Sequence, residues 1–476
     1  MNREELAADL ARGTPVKSCF HRNRCPMLLL GVCFLILVPA RGAWAWTEHP
    51  LVIRETLASF PEVQDAGLVK AESLNAFLMA EEKGLVKLLE DEEAWARKGL
   101  AWYRPLPEGL RFRATGNARD VRQRFCHAIR INPHARLGLY LQFVPTVPTG
   151  EGRSITPDRL TFLKDLTEWK KTRFAELGEG EMVSPSDVVT TASDEPDFGL
   201  DIGLYEDNGT AFGTLYGFGK QPFGNPNLEY SSQGPFHMGY YHEAWIVGAL
   251  AGFVKQTYPE HRIHLYRTLS VHAFRTGHDY WGGRFMGIGL HYLMDLNLPY
   301  HSTLLPGVST PRMLWINTLD LVWVSGPKAG AIQLVSNRHT ALEAFQQAVM
   351  QEAYRQGHGD DSPLFEALRT IGDCPAWDDR MVRDVITARS NSLAAKADRV
   401  VEETLPGRWV SDPTFELGTS PELYDVMTVM RREGGDKAVE KATGLLREVL
   451  EPLPGYVCSY ARGILADASR LPARPE

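Results

Sequence analysis

One segment near the middle of the chain constrains the fold more than any other. It runs from His291 to His301 and contains Asp295 and Pro299. On a helix, His291 and Asp295 lie one turn apart, so an imidazole and a carboxylate leave the same face together. Pro299 ends such a helix, and the turn that follows offers His301. The segment therefore predicts a helix that presents ligands for a metal ion.

A second pair of residues has the same spacing. His339 and Glu343 are four residues apart, at the expected start of another helix. An imidazole and a carboxylate at this spacing are also typical of an ordinary helical salt bridge. Two such pairs with His301 between them favour a metal site over chance.

Residues 1–45 have the pattern of a signal peptide. Met27 to Ala40 is an apolar run of 14 residues, which is short for a membrane span. Ala43-Trp44-Ala45 then has the small-x-small form that signal peptidase cleaves. We therefore expect a secreted or periplasmic protein whose mature chain, 46–476, begins at Trp46.

The new N-terminus is itself a candidate ligand. A neutral amine and the carbonyl oxygen of the same residue can chelate a metal ion, and His49 follows Trp46 by three residues. The alternative is an ordinary signal peptide followed by an incidental tryptophan.

The charge balance bears on the partners of the protein. Residues 1–45 carry six Lys and Arg against three Asp and Glu, so the mature chain keeps 45 basic and 56 acidic side chains, a formal charge of −11. Phosphate neutralisation needs Lys and Arg, so broad nonspecific binding of nucleic acid is disfavoured. A local metal-lined cleft remains compatible with this charge.

Cysteine spacing excludes two kinds of small domain. The mature chain keeps Cys126, Cys374 and Cys458, without the short spacings of a disulfide framework or a zinc knuckle. One disulfide could form after export.

The hydrophobic pattern predicts an all-α domain with a long structured loop. Helical periodicity dominates, and strand-like alternation is scarce. A stretch rich in Gly, Pro, Asp and Asn predicts the loop, and residues 137–146 fit either a short strand or a buried helix. The predicted helical regions are 48–100, 243–295, 339–356 and most of 380–450, and the predicted loop is 186–240.

A mostly apolar stretch from Met313 to Val335 has two interpretations. It is either a buried helix and turn, or a lipid-facing edge beside the active site. The second interpretation would expose apolar residues to lipid: Trp315, Ile316, Leu319, Val322 and Trp323.

The ligand pattern resembles the zinc-dependent phospholipase C and single-strand-specific nuclease superfamily, and its bacterial phospholipase C branch in particular. That branch has a mature N-terminal Trp followed by a His, a helix with the pattern His-Tyr-x-x-Asp-x-x-x-Pro-x-His, and a later His-x-x-x-Glu. The matching residues here are Trp46, His49, His291, Asp295, Pro299, His301, His339 and Glu343.

Two further ligands have more than one candidate. The family's Asp in a Pro-Asp-aromatic setting resembles Asp197, although Asp194 and Asp201 could replace it. The family's His in an aromatic segment could be His237 or His242. The resemblance covers about 190–350 and 46–55, and it is poor over 56–190 and 380–476.

The chain departs from the family in two places. The gap between His301 and His339 is long, and the apolar stretch fills it. The nuclease branch usually continues its Pro-x-His with Gly-Gly-Asn, which Ser302-Thr-Leu-Leu-Pro does not supply. The segment is thus closer to the phospholipase branch.

The resemblance implies an all-α phospholipase C/nuclease-like fold with up to three zinc ions. Asp197, His237 or His242, His291 and Asp295 would hold the first ion. The second ion would be held by His301, His339 and Glu343. The third would be held by Trp46, His49 and the bridging Asp295. Asp197 would also act as general base.

The implied activity is phospholipase C-like hydrolysis of phospholipid head groups by a metal-activated hydroxide. The substrate would be a phospholipid or another phosphodiester, with peripheral membrane contact. Nucleic acid would enter only as a substrate, if the protein is instead a single-strand-specific nuclease or nucleotidase. A third alternative is a non-catalytic metal-binding protein.

Overall fold

Helices form most of the described structure, as the sequence predicted. A computed structural model of the chain describes residues 48–144, 153–166, 169, 172–224, 230–321, 325–357 and 359–469. The predicted signal peptide and Trp46 lie outside the described residues. Within these ranges, no helix has the length and apolarity that a membrane span requires.

The first helices confirm most of the predicted helical region 48–100, which also contains a two-residue strand at Val69–Lys70. They are α1 (His49–Leu57), α2 (Pro61–Gln64), α3 (Leu74–Gly99) and α4 (Val121–Ala128). Pro50 stands in the first turn of α1, where the missing N–H of proline costs no helical hydrogen bond. Leu51, Val52 and Ile53 are fully buried, so α1 is fixed in the main core together with His49.

Five short strands form two small antiparallel sheets in the described part. β1 (Val69–Lys70) pairs with β5 (Met182–Val183). The second sheet has the order β2 (Tyr140–Phe143), β4 (Arg173–Glu176), β3 (Arg153–Ile155). The stretch 137–146 therefore contains a short strand rather than a helix. Its Tyr140 packs with Trp169 and Phe198 in a small apolar cluster, which fixes the chain beside Asp197.

The predicted loop over 186–240 is a succession of short helices and turns. α5 (Pro185–Ala192) leads into a 3-10 turn, Glu195–Phe198, and α6 (Ala211–Leu215) and α7 (Gly234–His237) follow. Its aromatic residues are largely buried, as expected for an ordered segment: Phe212, Tyr216, Phe218 and Phe223.

The centre of the fold is a pair of packed helices. α8 (Trp245–Leu250) precedes α9 (Pro259–Arg275) and α10 (Asp279–Asn297), so the predicted helical region 243–295 contains three helices. Every residue of α10 after Asp279 is buried. A Cβ at Gly287 would lie 2.4 Å from the Val189 carbonyl oxygen, so glycine lets α5 pack directly on α10. This contact brings the segment after α5 close to His291.

A short helix and two longer ones follow: α11 (Pro299–Ser302), α12 (Thr310–Leu321) and α13 (Gly326–Arg355). The prediction of a helix start at His339 is wrong, because α13 begins at Gly326. Pro327 favours a helix start there, and no residue between Pro327 and His339 interrupts the helix.

The C-terminal part is helical, as predicted over 380–450. Its elements are α14 (Pro363–Arg369), a π-helical stretch Val382–Thr387, α15 (Ala388–Thr404), α16 (Gly407–Ser411), α17 (Val426–Leu450) and α18 (Leu453–Ser469). A disulfide joins Cys374 to Cys458 in α18, with a Cα–Cα distance of 5.7 Å, and Cys126 is a buried free thiol. The single disulfide that the cysteine count allowed is therefore present.

The apolar stretch from Met313 is buried only in part. Met313 and Ile316 on α12 are 6% and 5% exposed and belong to the interior, whereas Trp315 is 62% exposed. The helix is thus amphipathic, with an indole on its solvent side. Val322 and Trp323 lie outside the described residues.

Candidate metal centre

α10 supplies the two residues on which the site is built. His291 and Asp295 are 0% and 1% exposed, one turn apart as the spacing predicted. The Nδ1 atom of His291 lies 2.8 Å from the Ser193 carbonyl oxygen and donates a hydrogen bond to it. This contact directs Nε2 of His291 towards Asp295, 3.3 Å from Oδ2. A backbone acceptor that fixes one imidazole nitrogen in this way is typical of metal-binding histidines.

His49 reaches the same point from the start of α1. Its Nε2 lies 3.2 Å from Asp295 Oδ1. Its Nδ1 lies 3.6 Å from Asp197 Oδ2 and 3.9 Å from Asp194 Oδ1. Asp295 therefore faces histidines from two helices, with one oxygen towards each.

The loop segment over 186–240 contributes two more residues. Asp197 lies in the turn after α5, and its Oδ1 atom is 3.8 Å from His291 Nε2. His237 lies at the end of α7, and its Nδ1 atom is 2.7 Å from Asp295 Oδ2. The Nδ1 atom of His237 is also 3.1 Å from Nε2 of His291. Two imidazole nitrogens so close share a proton or coordinate a cation.

A second group forms where α11 meets α13. His301 Nε2 and His339 Nε2 lie 3.3 and 2.8 Å from Glu343 Oε1. His301 Nδ1 donates to the His237 carbonyl oxygen at 3.1 Å, which joins this group to the first. The ring of Tyr300 stacks on His339 at 5.4 Å and fixes its plane. The His339 side chain is 15% exposed, so this end of the site is the more open one.

These residues form four sets, each of three donors whose atoms lie within 4.8 Å of one another, and three of the sets share residues. The sets are His49, His291 and Asp295; Asp197, His237 and His291; His49, Asp194 and Asp197; and His301, His339 and Glu343. Imidazole and carboxylate donors at such spacing are able to hold metal ions. The Nε2 atom of His237 and the Oε2 atom of Glu343 are buried and have no hydrogen-bond partner among the described residues. Both atoms are therefore available to a metal ion.

Burial and neighbouring charges set the protonation of the site. Burial lowers the pKa of His49 to about 3, so its ring is neutral and available as a ligand at neutral pH. Burial raises the pKa of Asp194 to about 6. Burial also opposes ionisation of Asp295, but His291 and His301 hold the pKa of that carboxyl well below its usual range. An ionised Asp295 carboxylate thus lies beside a neutral His49. Burial opposes protonation of His301, but Asp295 and Glu343 raise the pKa of that ring to about 9, so a metal ion would have to displace its proton.

The structure decides between the two candidate histidines. His242 lies outside the cluster, because its side chain is exposed and its Nε2 bonds the Arg383 carbonyl oxygen at 2.7 Å. His237 is therefore the residue that joins the site. Sequence reasoning could not separate the two, since both lie in the same aromatic segment.

The three aspartates have different positions. Asp197 and Asp194 both face His49, so Asp194 adds to the cluster instead of replacing Asp197. Asp201 lies behind His237, with Oδ2 3.6 Å from its Nε2. The carboxylate of Asp201 accepts hydrogen bonds from Arg262 and Tyr292, both at 2.6 Å. Sequence reasoning missed these outer contacts, because no local signal marks Arg262, and Tyr292 enters only as the tyrosine of the helix motif.

Comparison of the chain with models of known families, with curated proteins and with solved structures found no match.

Proposed function

We propose that the protein is a zinc-dependent hydrolase of phosphodiesters with phospholipase C-like activity. The observation that carries the proposal is the pair of joined donor groups, one centred on Asp295 and one on Glu343. A cluster this rich in buried ionisable groups costs the fold free energy, which bound cations would offset. The pattern of ligands supports a phospholipase C/nuclease-like version of the all-α fold.

The donors divide among up to three zinc ions. The first ion would be held by Asp197, His237, His291 and Asp295. The second would be held by His301, His339 and Glu343. The third would be held by His49, Asp295 and the amine and carbonyl of Trp46. Imidazole and carboxylate ligands suit zinc better than calcium or magnesium, which prefer oxygen donors alone. When bound, such ions lower the pKa of coordinated water and neutralise phosphate oxygens.

The chain's own residues would position the reactants. Asp197 would orient the attacking water and accept its proton, because its carboxylate reaches both His49 and His291. The more exposed His339 lies on the side from which a phosphodiester would enter. His291, held by the Ser193 carbonyl oxygen, would keep the ligand geometry fixed during the reaction.

Two observations support a secreted enzyme acting on lipid. The Cys374–Cys458 disulfide is of the kind that persists in oxidising compartments outside the cytosol. Exposed indoles suit peripheral contact with a lipid surface, and Trp315 and Trp245 are 62% and 78% exposed. Trp315 is on α12, which packs against α13, the helix that carries His339.

A comparison of substrates tests the proposal. Mature protein loaded with zinc should hydrolyse phosphatidylcholine, in vesicles and as a soluble short-chain analogue, faster than single-stranded DNA or nucleoside monophosphates. Faster cleavage of DNA or nucleotides would instead favour the single-strand-specific nuclease or nucleotidase alternative. Bound zinc without hydrolysis of any of these substrates would favour the non-catalytic metal-binding alternative.

A further inference from the structure

The Gln346 side chain is a buried carboxamide on α13. It is 1% exposed, and neither Nε2 nor Oε1 has a hydrogen-bond partner in the part of the chain that the structure describes. Buried apolar residues precede it on α13, together with the buried carboxylate of Glu343: Ala341, Leu342, Ala344 and Phe345. Burying an amide without hydrogen bonds costs free energy that an apolar side chain would not cost. The two amide atoms of Gln346 are therefore available to a bound ligand.

Helical spacing places Gln346 on the face of α13 that carries His339 and Glu343. It follows His339 by seven residues and Glu343 by three, so all three leave α13 on the same face. Further along α13, the Gln351 side chain donates to Glu48 at 2.6 Å, next to His49. Gln346 thus lies between the turn that contacts His301 and the turn that contacts the start of α1.

The charge of the site indicates which ligand Gln346 would take. The described ion-pair partners of Asp295 and Glu343 are all histidines: His49, His237, His291 and His301 for the first, and His301 and His339 for the second. A phosphate beside these carboxylates would find no guanidinium or ammonium among their partners. The amide N–H of Gln346 is a neutral donor that could bind a phosphate oxygen without competing for the carboxylates.

We infer that the Gln346 carboxamide is a substrate-binding group that donates a hydrogen bond from Nε2 to a non-bridging phosphate oxygen. The inference rests on the proposed function, because it assigns the phosphate to the same metal centre. It adds a specificity contact: a carboxamide in this position favours a phosphate anion over an ester that carries no negative charge.

The test measures binding of inorganic phosphate by calorimetry, with the zinc content of each protein determined separately. Gln346→Met removes both amide atoms and nearly preserves volume. This variant should keep the zinc content of the parent protein and bind phosphate roughly 10–100-fold more weakly, the loss expected for one hydrogen bond to a charged group. Gln346→Glu should weaken binding further, because a carboxylate repels phosphate.

Gln333→Met is the matched control. Gln333 is a buried glutamine on the same helix, but its side chain bonds Asn337 and Glu416, away from the donor groups. Its variant should bind phosphate like the parent protein. Thermal unfolding identifies any variant that fails to fold.

The outcomes separate this inference from the proposed function. Absence of stoichiometric metal in the parent protein would overturn both. Full metal content with equal phosphate affinity in the parent and Gln346→Met proteins would overturn only the role of Gln346. A higher Tm of Gln346→Met with unchanged phosphate affinity would show that the carboxamide is merely a buried polar group.

Discussion

His49 Nε2 and Asp295 Oδ1 lie 3.2 Å apart, although 246 residues separate them in the chain. The other oxygen of Asp295 lies 2.7 Å from His237 and 3.3 Å from His291. One carboxylate therefore contacts histidines from three separate elements. Asp295 is therefore the carboxylate around which the histidines of the first donor group assemble.

Asp295→Asn should be the most damaging conservative change at the site. An amide has no negative charge with which to bridge two cations, so we expect loss of more than one metal equivalent. Hydrolysis should fall by at least about a hundredfold, since even outer contacts of metal ligands are worth roughly 10–100-fold. Elemental analysis of protein purified without chelators measures the metal content. Full metal retention in this variant would contradict the bridging role.

His339→Ala should remove only the more open site. His339 contacts Glu343 at 2.8 Å and is absent from the donor sets around Asp295. We therefore expect loss of about one metal equivalent while the others remain. His242→Ala is the control, because that side chain bonds Arg383 and should leave the metal content unchanged. Equal metal loss in both variants would indicate general unfolding.

Maturation should expose Trp46 as the N-terminal residue. Its amine and carbonyl would then complete the third donor set with His49 and Asp295. N-terminal sequencing of exported protein should begin at Trp46, and a start at any other residue, Trp44 included, would contradict this assignment. A cytoplasmic form that keeps a methionine before Trp46 should bind less metal, because the amine is displaced.

Trp315 and Ile316 offer a matched test of lipid contact. Trp315 is 62% exposed and Ile316 5% exposed on the same helix. Trp315→Ala should leave Tm nearly unchanged, but it should lower activity on vesicles more than on a soluble short-chain substrate. Ile316→Ala should instead destabilise the fold by roughly 2–5 kcal/mol. Equal activity of Trp315→Ala on both substrate forms would argue against an interfacial role for this residue.

Removing the disulfide should lower stability without removing the metal centre. Cys374 and Cys458 are 84 residues apart, and closing such a loop typically stabilises a fold by about 2–4 kcal/mol. Replacing both with serine should lower Tm while the zinc content stays constant. The control is Cys126→Ala, which changes a buried free thiol and leaves the crosslink intact. Mass spectrometry without reductant verifies the bond.

Local sequence rules accounted for the parts of the site that lie on single helices. The spacing of His291 and Asp295, and of His339 and Glu343, follows from 3.6 residues per turn, and both pairs face the cluster as expected. The all-α class also followed from periodicity. The predicted helix start at His339 is wrong, because the pair of His339 and Glu343 need not stand at the first turn of its helix.

Only the tertiary structure decided which residues of the irregular segment join the site. His237 and His242 are equally plausible ligands in the sequence, yet packing directs one to Asp295 and the other to Arg383. Asp194, Asp197 and Asp201 differ in the same way. A loop lacks the periodicity that fixes side-chain direction, so its geometry depends on contacts with distant elements such as the close packing of α5 on Gly287. The sequence by itself determined which helical residues join the site, and long-range packing determined which residues of the irregular segment join them.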